Sequence, residues 1–330
     1  MHEKLKAVNI LIMDKQLNTP VLLVIFNRPE TSDVAFDAIR KVKPKKLYIA
    51  ADGPRKDRPD DVERCAKARD ISNRVDWPCE LKTLYREENL GCRAGTTGGI
   101  NWMLEQEEYG IIFDDDCIAN ESFFYFCEEL LEKYKDNEKI MHICGTNFHQ
   151  QNPSFNINES YYFSKISQNW GWATWRRAWN KYEPEIKSWP QYKGTEKFKK
   201  WIKNPLVQDY WSYVFDRRFN QELTDWDIPW TYSCMKNEGL CIVPKYNLVT
   251  NIGSGSVGTH GEKSDRMAHM PTKEIEFPLM HPETYNTNEN ADNYTSQYIY
   301  SIKMNPKRKT LLFLKTHFPI LYKNVKLLVK

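Results

Sequence analysis

The stretch Tyr109-Gly-Ile-Ile-Phe-Asp-Asp-Asp116 decides how this chain is read. A glycine followed by a short β-branched and aromatic run has the composition of a buried strand. Three carboxylates stand at its tip, where they would repel one another in a partly dry site. A divalent cation relieves such repulsion. Hard oxygen ligands suit Mg²⁺ or Mn²⁺, and such an ion keeps coordination positions for substrate phosphates. The alternative is an acidic turn that stays solvated, and the triplet alone leaves both open.

Outward from this stretch the same composition recurs. Residues 21–26, 46–50, 79–86 and 140–144 also read as strands, and helical stretches separate them at 31–41, 57–73, 97–107 and 123–134. Strands alternating with helices predict an α/β fold with a mostly parallel sheet. Ligands of such sheets bind beyond the carboxyl ends of the strands. The polar segments 27–30, 52–55, 91–95 and 114–116 all fall there, so one sheet edge is expected to carry the site. The second half lacks this alternation. Its densest aromatic cluster is Asn169-Trp-Gly-Trp-Ala-Thr-Trp-Arg-Arg-Ala-Trp179. Helices are expected at 206–221 and 230–237, a strand at 240–244, and a glycine-punctuated loop at 251–261 that contains His260.

The 330 residues are 41% hydrophobic, enough for a substantial core, and include 11 Trp, 18 Tyr and 15 Phe. Such rings grip sugars and planar ligands, or simply fill cores. The eight cysteines form no C-x-x-C pair, which argues against a zinc site or a disulfide framework. The first residues do not have the form of a secretory leader, and no run reaches the ~18 apolar residues of a membrane span. A reducing, cytoplasmic location is the expectation. Charge is uneven: eight lysines and arginines and no acid follow Asp292, so with +3 overall and +8 in the tail the preceding chain is about −5. Such a body is not a nucleic-acid binder by charge. The apolar and basic mixture at 310–330 has the composition of an interfacial segment for an anionic membrane surface, here the inner face; a basic helix packed on the domain is the alternative.

In order along the chain, Asn27-Arg-Pro-Glu30, Asp52-Gly-Pro-Arg55, Asn89-Leu-Gly-Cys-Arg93, the Asp114–Asp116 triplet and Trp170-Gly-Trp-Ala-Thr-Trp175 resemble bacterial and archaeal nucleotide-diphospho-sugar glycosyltransferases of the GT-A fold, the haemolytic-protein-like family. The layout is also similar to N-acetylglucosaminyltransferase I. The resemblance covers residues 20–262. It implies a nucleotide-sugar-binding α/β half at 1–150, an acceptor half of the same domain at 151–270, and an extension at 271–330. It implies transfer of a sugar from a nucleotide diphosphate sugar, a UDP-sugar foremost, to a hydroxyl of a glycan or lipid-linked glycan, with Mn²⁺ or Mg²⁺ as cofactor.

By the same resemblance Asp116 would bind the metal, and Asp114 or Asp115 the ribose or the metal's outer shell. Asp52 would accept the uracil N–H, unless it is a turn residue before Gly53-Pro54. Asn27 and Arg28 would meet base and phosphates. Arg93 would reach a phosphate with its planar guanidinium, or form a surface ion pair. His260 would reach the metal or a phosphate, or remain an exposed loop residue. Trp226-Asp227 matches the pair in which an Asp after Trp is the base of an inverting transfer; a helix cap is the alternative, with Asp225 equally placed to cap or to meet the acceptor. Trp170, Trp172 and Trp175 would wall the acceptor pocket, with core packing expected of at least one. Two rival readings remain. A sugar-nucleotide nucleotidyltransferase would need a glycine-rich loop where residues 27–30 stand. A non-catalytic glycan- or membrane-binding protein would not need the aspartates.

Overall fold

The computed structural model describes residues 15–152, 155–253, 267–302 and 314. Strands β1 (Val21–Ile25), β2 (Lys46–Ala51), β3 (Glu80–Tyr85) and β4 (Tyr109–Asp114) lie parallel in the order β3-β2-β1-β4. Helices α1 (Pro29–Val42), α2 (Asp60–Arg69) and α3 (Gly91–Leu104) make the connections. The β2 strand is buried along nearly its whole length, as a strand covered on both faces must be, hence its unbroken apolar run. Pro29 starts α1 at a position where its missing N–H costs nothing. Gly99 allows α3 to lie directly on the sheet: a Cβ there would sit 2.8 Å from that of Ala50.

Beyond β4 the sheet changes character. Helix α4 (Glu121–Lys133) leads to β6 (Ile140–Cys144) after a short β5 (Cys117–Ala119). Next come β7 (Tyr161–Ser164) and β8 (Trp172–Trp175), and later β9 (Leu240–Pro244). Strand β8 runs antiparallel between β4 and β6; β9 is parallel to β6; β7 is antiparallel to β9 and closes the edge. The full order is β3-β2-β1-β4-β8-β6-β9-β7, an eight-stranded, mostly parallel sheet in an α/β fold. β5 leaves this sheet and pairs antiparallel with β10 (Val249–Asn251). The tryptophan-dense segment therefore supplies a central strand, all four of whose residues are buried.

The helices α5 (Arg176–Trp179), α6 (Trp189–Tyr192), α7 (Glu196–Trp201), α8 (Pro205–Phe219) and α9 (Asp227–Lys236) follow β8. A second core around Trp189, Phe198, Phe215 and Tyr232 holds α6 to α9 together, while Trp179 of α5 belongs to the main core. The start of the C-terminal extension is woven into the body. Ile275, Phe277 and Leu279 join the main core, α10 (Glu289–Tyr294) docks beside β7, and Ile302 is buried in the second core. The basic segment 310–330 lies outside the described residues except for position 314. Among the described residues no helix is long and apolar enough to cross a membrane.

Candidate active site at the carboxyl edge of the sheet

Parallel β1, β2 and β4 end on one edge, so the segments after them emerge together. Asp114 is the last residue of β4, in register with Val24 of β1. Arg28, just past β1, reaches across to the triplet. Its Nη2 lies 2.7 Å from Asp115 Oδ1 and its Nη1 2.9 Å from Asp116 Oδ2. The other oxygen of Asp116 accepts a hydrogen bond from Asn251 Nδ2 at 2.9 Å. The main chain is tied here too: Ile252 N donates to Asp116 O at 2.8 Å, and Gly253 N to Asn251 Oδ1 at 2.8 Å. A Cβ on Gly253 would overlap the Asp116 carboxylate. The β5–β10 pairing and Arg28 thus hold Asp116 in place together. No local pattern marks Asn251 or Gly253, because Asp116, which both meet, lies 135 positions from Asn251 and still further from Gly253; the glycine-rich composition after a short apolar run is the one local sign.

One guanidinium faces three carboxylates. Burial, and then the charges of Asp116 and Asp115, push the Asp114 carboxyl well above the ordinary carboxylate range. Burial raises Asp115 to about 7, against the pull of Arg28. Burial works against the Arg28 cation, but the charges of Asp115, Asp116 and Asp114 outweigh it and raise its pKa. Asp115 Oδ2 is buried with no hydrogen-bond partner among the described residues. Excess negative charge and an orphaned carboxylate oxygen fit a further cation at this edge. Among the described residues no three Asp, Glu, His or Cys side chains converge to hold a metal alone. The described residues therefore offer fewer than three ligands at this edge, which suits an ion completed by water and phosphate oxygens. His260 lies outside the described residues.

Three other expected ligand contacts are taken up within the protein. Asp52 Oδ1 accepts from Gly53 N at 3.0 Å and Leu90 N at 2.9 Å, and Oδ2 from Gly91 N and Asn89 Nδ2, each at 3.0 Å. Its acceptor positions are filled, so the geometry corrects the base-binding expectation to the turn alternative. The residue anchors the start of α3, whose own cap position, Leu90, offers no side-chain acceptor. Asn27 Nδ2 donates to Asp61 Oδ1 at 2.6 Å. Asp61 is buried and paired with Arg55, whose hydrogen bonds hold its carboxyl down to about 2. Asn27 thereby clamps the loop after β2 rather than facing a ligand. Arg93 pairs with Glu185 at 3.0 Å, the surface ion pair that was its alternative.

Asp227 opens α9, where its Oδ1 accepts from Ile228 N at 3.0 Å. Its charge reaches Asp114 and the Cys92 thiol at the start of α3, and, together with that of Asp225, Tyr182. Trp226 sits between the two aspartates and is fixed by the core. Its ring stacks on Trp172 at 5.6 Å, and its carbonyl accepts from the Tyr182 hydroxyl at 3.1 Å. Tyr182 in turn stacks on Trp179 at 4.3 Å. Trp172 is only 1% exposed and also stacks on His142 at 5.0 Å. The expectation that Trp172 lines an acceptor pocket is therefore corrected: as a central-strand residue it is core, and so is Trp175. Trp170, half-buried against Phe148, keeps a partly open face.

No family model matches the chain, and no curated protein matches it. Among solved structures it is similar to the apo form of mouse xyloside xylosyltransferase 1, with 9% identity and a TM-score of 0.32 over 67% of this chain and 82% of that one. Superposition that low carries no weight for fold or function.

Proposed function

We propose that this chain is a glycosyltransferase that moves a sugar from a nucleotide diphosphate sugar, a UDP-sugar foremost, to a glycan hydroxyl with inversion. The observation that carries the reading is the under-neutralised Asp114–Asp116 cluster, reached by Arg28 at the carboxyl edge of the sheet and within electrostatic range of Asp227. A bound Mn²⁺ or Mg²⁺ would lend Lewis-acid stabilisation to the leaving diphosphate. Asp116 and Asp115 are the residues that would hold it. Arg28 would then release one carboxylate and turn to a phosphate oxygen, which its planar fork matches.

In the transfer the acceptor oxygen attacks the anomeric carbon as the bond to the diphosphate oxygen breaks, and the diphosphate leaves with the bonding electrons. Asp227 takes the hydroxyl proton. Stacking of Trp226 on Trp172 fixes the start of α9, so the base is aimed by the core rather than by a loop. Asp225 and the open face of Trp170 would meet the acceptor, a glycan or lipid-linked glycan. The basic segment at 310–330 would bring the enzyme to an anionic membrane.

Asp227→Asn keeps size but cannot accept the proton. Turnover with UDP-sugars should fall by ~10²–10⁴-fold while UDP affinity stays within twofold. Unchanged turnover would remove Asp227 from the chemistry, and a product that retains the anomeric configuration by NMR would defeat the inverting mechanism.

A further inference from the structure

A cavity of about 370 Å³ lies away from the aspartate edge, between α7, α8, the end of α9 and the α10 segment. This volume falls within the usual ~300–1,000 Å³ of small-molecule sites. The apolar side is formed by Ile166, Ile202, Val207, Trp211 and Met235, all of them buried. Four charged residues, Lys165, Lys203, Glu289 and Asp292, also line it.

Three of these four charges are already engaged. Asp292 accepts from Ser164 Oγ at 2.6 Å and from Lys165 N at 3.1 Å, one bond to each oxygen. Lys203 pairs with Glu289 at 2.5 Å. The Lys165 ammonium is different. It is half-buried and donates to Trp201 O at 3.0 Å, with the Trp201 ring 5.2 Å away. An ammonium has three donors, so two remain for a molecule in the cavity. Burial lowers the Lys165 pKa, and the charges of Asp292 and Glu289 oppose it.

We propose that this cavity is a binding site for a small amphiphile whose apolar body lies against Val207, Trp211 and Met235 and whose anionic oxygen, from a carboxylate or a phosphate ester, meets Lys165. The site is separate from the sugar-transfer reading and stands or falls without it. A charge-assisted hydrogen bond supplies the choice of head group, and the buried apolar wall supplies the affinity.

Calorimetry on the full chain, without nucleotide or metal, tests this with three probes: octanoate, octyl phosphate and octanol. The two anions should bind once per chain and at least tenfold more tightly than octanol; the tighter of the two identifies the head group. Lys165→Met should remove that preference while leaving octanol binding unchanged. Val207→Phe should fill the cavity and abolish binding of all three. Equal affinity for octanol and the anions, an anion preference that survives Lys165→Met, or no binding at millimolar probe would each overturn the proposal. If Val207→Phe fails to fold by circular dichroism, the Lys165→Met comparison decides alone.

Discussion

The ends of β2 and β4 lie on the same sheet edge, and each carries a buried carboxylate, yet the two regions are built to opposite ends. At β2, Asp52 is met by three backbone N–H groups and an amide. At β4, Asp115 meets Arg28 and the backbone N–H of Phe26 but keeps one oxygen without a partner, with two more carboxyls beside it. A carboxylate whose acceptor positions are filled by the chain is an anchor. One left short of positive charge is held in readiness for something the chain does not supply. Sequence alone presents both as an Asp after an apolar run; only the count of donors separates them.

The largest test of this contrast is Asp52→Ala. It would leave the N–H groups of Leu90 and Gly91 without their charged acceptor and should destabilise the fold by about 2–3 kcal/mol, read from chemical denaturation. A loss of donor binding with stability intact would return Asp52 to the ligand site.

Asp115→Asn comes next, read as a slope rather than a level. The folded pKa of about 7 stands above the unfolded value near 3.9. Between those values the folded chain holds a proton that the unfolded chain lacks, so this group's contribution to stability is present at low pH and lost as pH rises towards 7. The wild-type slope contributed here is at most about 1.4 kcal/mol per pH unit in chelator-treated protein, and Asp115→Asn should lack it. Parallel pH profiles for the two proteins would show Asp115 ionised throughout.

The smallest effect has the opposite sign. Asp114→Asn removes a carboxyl whose ionised form is penalised by burial and by Asp116 and Asp115, while Arg28 keeps its two partners; it should raise stability by about 1 kcal/mol at alkaline pH, where the wild-type carboxyl is forced to ionise, as it lowers sugar transfer. Loss of stability would mean that Asp114 is satisfied by its surroundings and that the cluster is not under-neutralised.

Much of the first half was legible because its cause is local. Residues 140–144, and in the second half 240–244, read as strands from their apolar runs, and they appear as β6 and β9. Helix α3 was expected near 97–107, but it starts at Gly91 because its N-terminal donors are satisfied by Asp52 from another strand. No local signal encodes a cap supplied 39 positions away. Strand β8 went unread for a related reason. Trp-Ala-Thr-Trp carries no apolar–polar alternation, and its two neighbours in the sheet come from distant parts of the chain. At the site, the triplet, Arg28 and the Asp227 neighbourhood were found by residue type. The roles of Asn27, Asp52 and Trp172 could not be, since a hydrogen-bond partner or a buried face is a property of the pairing and not of the residue.

Strand β8 also governs the order in which the molecule can be made. Its residues pair with β4 on one side and β6 on the other, and they are the last of the three to leave the ribosome. Until residue 175 has emerged, β4 is an open, apolar edge carrying unpaired backbone groups, the form in which a nascent chain pairs with a neighbour. The aspartate-bearing half is therefore not a unit that can be synthesised, cut out or shuffled by itself. A chain ending at residue 150 would present the best-formed part of the site on the edge most prone to aggregate, and the tryptophans that belong to the core act at that stage as the chain's protection against itself.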